Sequence, residues 1–181
     1  MDQSRSCGTC GLCCKVFEID VLAKPAGVWC RHRDTASGCS IHGAHPPVCR
    51  AFQCAWIADP SLDEAWKPER CGFVMHAVAD GYRLWVNVDP QRPDAWRASP
   101  YYETLKTWSA GALDDTRSLV VNVGPDVIAL FPEEDLVISG GREEGEAVST
   151  GYFRDGAVRR PYVAVRRTGG MRTVRGQAWR S

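Results

Sequence analysis

The chain carries no excess charge of either sign: 22 lysines and arginines balance 22 aspartates and glutamates. That balance gives no reason to expect nucleic acid or a membrane surface as the main partner. Long apolar runs are missing too. Nothing approaches the roughly 18 to 20 continuous apolar residues of a membrane span. The opening Met1-Asp2-Gln3-Ser4-Arg5-Ser6-Cys7 has no apolar stretch to form the core of a signal peptide. A soluble, cytoplasmic protein without a membrane partner is expected. The familiar catalytic signatures are also lacking, with no Walker loop, dinucleotide fingerprint, GxSxG elbow or HExxH. No catalytic residue is assigned, and a binding protein is expected before an enzyme.

What is abundant is cysteine, and it is unevenly spread. Of nine cysteines in 181 residues, eight lie from Cys7 to Cys54, the ninth is Cys71, and the remaining 110 residues hold none. In a reducing cytosol a dense thiol pattern points to metal binding or catalysis rather than to a disulfide framework. The odd count and the adjacent Cys13 and Cys14 fit pairwise bridges poorly. A hydrophobic share of 44% with 24% charged residues allows a packed core. The expected organisation is therefore a metal-organised module over residues 1–72, an antiparallel α+β part over 73–167, and a basic, mobile tail over 168–181.

The spacing explains how the thiols could converge. In Cys7-x2-Cys10-x2-Cys13-Cys14 a two-residue gap lets the chain turn so that two sulfurs face one ion, with Gly8 and Gly11 supplying turn freedom. If the segment is helical instead, Cys7, Cys10 and Cys14 share a face with Cys13 beside it. Both geometries remain open. Further on, Pro46 and Pro47 predict a short helix that places Cys49 near its N-terminus, where thiolate is favoured. Arg5, Lys15, Arg31, Arg33 and Arg50 lie among the cysteines and could offset thiolate charge.

These residues resemble the CxxCxxCC cysteine-cluster family (YkgJ-like), described as zinc- or iron-chelating. Its pattern runs from the CxxCxxCC start through a middle cysteine to roughly C-x-I-Y-x-x-R-P-x-x-C-R-x-F-x-C. Cys7, Cys10, Cys13, Cys14 and Cys30 match it, followed by Cys39, Ile41, Pro46, Cys49, Arg50, Phe52 and Cys54. The match spans residues 7–54, about a quarter of the chain. His42 stands where the family usually has tyrosine, and His45 where it usually has arginine. The resemblance implies metal chelation. The larger flagellin lysine N-methylases share the cysteine motif, which adds a hint of group-transfer activity.

The expected metal ligands are Cys7, Cys10, Cys13, Cys14, Cys30, Cys39, Cys49 and Cys54, with Zn2+ or iron, including an iron–sulfur cluster, as the cofactor. Eight thiolates fill two closed sites of four, or one such site with a reserve. His32, His42 and His45 lie among the ligands and leave a mixed thiolate–imidazole site open. Cys71 and His76 read as packing residues. Cys49 with His45 at i, i+4 could approach as a nucleophilic pair, but cysteines in a dense cluster are better explained as ligands. The alternatives to plain chelation are an iron–sulfur protein with redox or group-transfer chemistry, and a metal carrier. No protein partner is specified.

Beyond Cys71 the pattern is β-rich. Residues 73–79 and 82–88 flank Asp80-Gly81, and 118–123 and 126–131 flank Gly124-Pro125, two hairpin signals. Residues 101–110 predict an amphipathic helix with Leu105 and Trp108 on one side, after Ser99-Pro100. Further strands are expected at 136–139, 147–153 and 157–165, with a turn at Asp155-Gly156. Trp85, Trp96 and Trp108 read as packing residues. An acidic stretch from Glu133 to Glu146 precedes seven arginines without an acidic residue from Gly156 to Ser181, which reads as a solvated tail partly neutralised by that stretch.

Overall fold

Proline and glycine cut the first seventy residues into short pieces. The computed structural model describes residues 5–77, 83–111, 118–140, 147–167, 170–172 and 177–178. In its first part lie helix α1 (Cys13–Val16), the strand pair β1 (Arg33–Asp34) and β2 (Gly38–Cys39), and helices α2 (Pro47–Ala51), α3 (Ala55–Ala58) and α4 (Pro68–Cys71). None reaches the roughly 12 to 15 residues at which an isolated helix becomes even marginally stable. Tertiary contacts must hold them. Strands β3 (Phe73–Ala77) and β4 (Arg83–Val88) follow as expected, while the Asp80-Gly81 turn falls outside the described residues.

The second part is regular. Helix α5 (Tyr101–Gly111) leads into β5 (Ser118–Val123), β6 (Asp126–Leu130), β7 (Asp135–Ile138), β8 (Ala147–Asp155), β9 (Val158–Arg167), β10 (Gly170–Arg172) and β11 (Gln177–Ala178). The class is α+β, and the described pairings are antiparallel. Val123 pairs with Asp126 across Gly124-Pro125, where Gly124 takes a positive φ of 53° that favours glycine. This register puts Val120, Val127, Ala129, Leu136 and Ile138 on one face. They form a buried core with Phe131, Val148 and Val163, and Trp85 and Tyr152 pack against it. Leu119, Val121, Ile128 and Leu130 alternate with them and are buried as well. Helix α5 contacts β5 and β6.

On α5, Leu105 is buried and Trp108 half-buried. The helix is also tied to β7 by polar groups. Tyr102 Oη donates to Asp135 Oδ2 at 2.8 Å, and Lys106 Nζ reaches Asp135 Oδ1 at 2.9 Å and the Phe131 carbonyl. Burial and that carboxylate push the Tyr102 phenol up to about 12. Asp135, counted within the acidic stretch, thus serves the helix. Most of the other acidic residues of that stretch, Glu143, Glu144 and Glu146, lie outside the described residues. The stretch expected to be a tail contributes β10, paired with β9, and β11, paired with β7. Among the described residues no helix is long and apolar enough to cross a membrane.

The chain divides into two units differently from the sequence expectation. Unit 1 comprises Met1–His76 and Asn87–Trp96; unit 2 comprises Ala77–Val86 and Arg97–Ser181. Residues 87–96, expected within the β-rich part, are drawn into unit 1 by polar clamps. Asp89 Oδ1 meets Lys15 Nζ of α1 at 2.6 Å, with Gln91 Oε1 at 2.7 Å from the same ammonium. The Asp89 N–H donates to Gly72 O at 2.9 Å, and the Arg92 guanidinium donates to Arg70 O at 3.2 Å. Trp96 is almost wholly buried. Gly72, at φ +80°, admits this approach, because a Cβ there would lie 2.8 Å from Arg92 Cζ and 2.9 Å from Ala95 Cβ.

The Lys15–Asp89 side chains are 3% and 10% exposed, so removing one partner strands a buried charge. Asp89→Ala is expected to cost about 3 kcal/mol of unit 1 stability, read from the urea midpoint by tryptophan fluorescence. A midpoint unchanged from wild type would remove the pair as the clamp.

Candidate metal centre

The CxxCxxCC start is a turn followed by a helix, not one continuous helical face. Gly8, at φ +53°, turns the chain so that Cys10 N–H donates to Cys7 O at 2.9 Å. Gly11 O then accepts from Cys14 N–H at 2.8 Å as α1 begins, setting Cys13 and Cys14 on adjacent helical positions with their sulfurs 4.0 Å apart. Backbone N–H groups at Leu12 and Glu69 face the Cys10 sulfur, as the turn geometry requires of a thiolate acceptor.

Three further segments are bonded onto this start. Cys30 N–H donates to Cys14 O at 3.0 Å, and Arg33 N–H donates to Cys30 O at 3.0 Å. Arg33 pairs with Cys39 across β1 and β2, so Cys14, Cys30 and Cys39 follow one chain of backbone contacts. Gly38, buried at φ +88°, lies against the Cys7–Cys10 turn so closely that a Cβ would stand 2.3 Å from Gly8 O. Arg5 clamps the segment before Cys7 to α3, donating to Trp56 O at 2.8 Å, Asp59 O at 3.0 Å and Pro60 O at 3.1 Å. That brings Cys7 toward Cys54, which precedes α3. Phe17, just after α1, packs on Phe52, just after α2, with ring centroids 4.9 Å apart, and so draws Cys49 toward Cys14.

Electrostatics report the same neighbourhoods. Cys7, though an exposed residue, has its thiol pushed up by desolvation and then by Cys54, Cys10 and Cys14. Cys10 is pushed up by burial, with Glu69 and Cys54 adding to it. Cys49 is raised by burial and by Cys14, Cys30 and Cys39. The thiolate-favouring effect expected for Cys49 from the helix start is therefore outweighed, since a five-residue helix has little dipole to set against burial. Within the Cys13–Cys14 pair, the shared hydrogen bond lowers Cys14 and raises Cys13; Lys24 and Arg33 lower Cys14 further.

Lys24 carried no signal in the sequence and is central here. It is buried, and Nζ donates to Lys15 O at 2.7 Å and to Phe17 O beside Cys14, Cys30 and Cys13. Desolvation lowers its pKa while those thiols raise it. Arg33 stacks over Trp29 at 4.1 Å, and its Nε is buried without a hydrogen-bond partner. An ammonium and an orphaned guanidinium N–H beside thiols complement anionic sulfur. All nine cysteines are free, which leaves the donors available. The chemistry of this donor set fits a soft or borderline cation such as zinc or iron. Among the described residues, no group of three or more Cys, His, Asp or Glu side chains is already drawn together around a single point.

The remaining candidates are engaged by other partners, although Cys10 still acts on the Cys71 thiol. Cys71 is fully buried, its Sγ donates to Phe73 O at 3.2 Å, and burial pushes its thiol up to about 12. His76 packs edge-on against Phe17 and Phe52, and burial lowers its pKa. His42 and His45 stack with centroids 5.0 Å apart, and His45 Nδ1 accepts from Gly43 N–H at 3.0 Å. Arg31 Nε donates to His32 Nε2 at 3.3 Å. No family model, curated protein or solved structure matches the chain.

Gly38→Ala combines a left-handed backbone with a collision against backbone, which cannot rotate away. It is expected to lower cadmium affinity at least tenfold, measured by competition with a chromophoric chelator, while Gly43→Ala, which shares the backbone strain at φ +95° but meets no neighbouring atom, leaves affinity within about twofold. Equal affinities for the two variants would show that the turn and β2 need not touch for binding.

Proposed function

We propose that this chain is a cytoplasmic metal-binding protein that chelates zinc or iron through the thiolates of unit 1. The observation that supports the reading is the buried Lys24 ammonium beside Cys13, Cys14 and Cys30, with the unpartnered Arg33 Nε near Cys14, in a unit whose turns and clamps bring the other cysteine-bearing segments to the same neighbourhood. A cytoplasmic setting suits this reading, because a reducing compartment keeps clustered thiols available to metal. The CxxCxxCC resemblance points the same way. Binding displaces thiol protons, so affinity rises with pH until the thiols are ionised.

Zinc in this setting is a structural ion without redox chemistry, and it would supply the folding energy that α1 to α4 lack individually. The N–H groups directed at Cys10 favour a second reading, an iron–sulfur protein, because such hydrogen bonds tune cluster potentials. The test is removal of metal with a strong chelator. Near-UV circular dichroism from the buried Trp56, Trp66 and Trp96 of unit 1 is expected to collapse while the far-UV β signal persists. Unchanged near-UV dichroism after verified metal removal would contradict an organising metal.

A further inference from the structure

Resting on the metal-binding reading, we propose that the eight thiols divide into two four-thiolate sites: Cys7, Cys10, Cys13 and Cys54 in one, Cys14, Cys30, Cys39 and Cys49 in the other. Each would take one tetrahedral thiophilic cation. Backbone geometry argues the division first. The Gly8 turn joins Cys7 to Cys10, and the Arg5 clamp sets that turn beside α3 and therefore Cys54. A separate path of backbone contacts links Cys14 to Cys30, Cys30 to Arg33, and Arg33 to Cys39, and the Phe17–Phe52 contact brings α2 with Cys49 to it.

The hinge is α1. Consecutive side chains of a helix leave the axis about 100° apart, so Cys13 and Cys14 can serve two different ions from one turn. Their 4.0 Å separation makes them the edge along which the two sites meet. Cys54 and Cys10 are the first electrostatic neighbours of Cys7, with Cys14 behind them at the shared edge, and Cys7 and Cys10 act on Cys13; those of Cys49 are Cys14, Cys30 and Cys39. Charge is also unequally shared. Lys24 and Arg33 bear on Cys14, and Lys24 also on Cys30 and, less, on Cys13, while Glu69 bears on Cys10. The second site is thus the better compensated of the two; among the described residues no three of these side chains meet at one point, so the ion itself would draw each set together. Cys71 belongs to neither, since its thiol is engaged by backbone carbonyls.

Cadmium titration of the full chain, reduced and metal-free, tests the division through thiolate-to-metal charge-transfer absorption. Wild type is expected to saturate at two equivalents. Cys54→Ser and Cys49→Ser are each expected to saturate at one, and Cys71→Ser at two. Cadmium–proton correlation on wild type gives an independent reading should a variant misfold: each of two cadmium signals should couple to the β-protons of four cysteines, one set each. A single cadmium coupled to both Cys13 and Cys14, or single variants that each lose both equivalents, would overturn the division while leaving metal binding intact. Wild type that takes up no cadmium would instead overturn metal binding itself.

Discussion

Two buried ammonium groups beneath α1 set the terms for unit 1. Lys15 and Lys24 are 2% and 6% exposed, and an uncompensated buried charge costs several kcal/mol. Lys15 is answered by Asp89 and Gln91, which recruits residues 87–96 into the unit. Lys24 is answered by the carbonyls of Lys15 and Phe17, which fixes the chain leaving α1, and by the thiols beside it. Lys24, unlike Lys15, has no carboxylate partner among the described residues and so favours negative charge where Cys13, Cys14 and Cys30 gather. Structure and proposed chemistry share one electrostatic demand.

The two units are held by different physics. Unit 2 buries apolar side chains on both faces of its paired strands, and its register is held by the β5–β6 and β6–β7 pairings and by the packing of each face. Unit 1 has helices of four or five residues and leaves Val21, Val28, Trp29 and Val48 exposed. Its segments are joined chiefly by side-chain-to-backbone clamps, Arg5 on α3, Lys24 on α1 and Arg92 on α4. Such clamps orient a segment without filling a core, and a tetrathiolate ion would cross-link the same segments.

The regular part was the more legible. Alternation and Gly124-Pro125 placed the β5–β6 hairpin within a residue of its observed ends, and the period of Leu105 and Trp108 placed α5. Local patterns suffice where the partner is a near neighbour in sequence. The Asp89 clamp was illegible because its partner lies 74 positions away, and nothing around Asp89-Pro90 marks it. Gly38 was equally silent, since its requirement comes from Gly8 across a tertiary contact. The eight cysteines stood out as a group through spacing. Their neighbourhoods did not, because the contacts that join Cys14 to Cys30 and bring Cys49 to both arise only after the loops have closed.

Metal content tests the central claim most directly. The full chain would be purified without oxygen and measured for zinc, iron and acid-labile sulfide, with an absorption spectrum of the same sample. Zinc at up to two equivalents in a colourless sample, or iron with sulfide and broad violet-blue absorption, is the expected result. A natively folded chain that carries neither metal and keeps eight titratable thiols would contradict it.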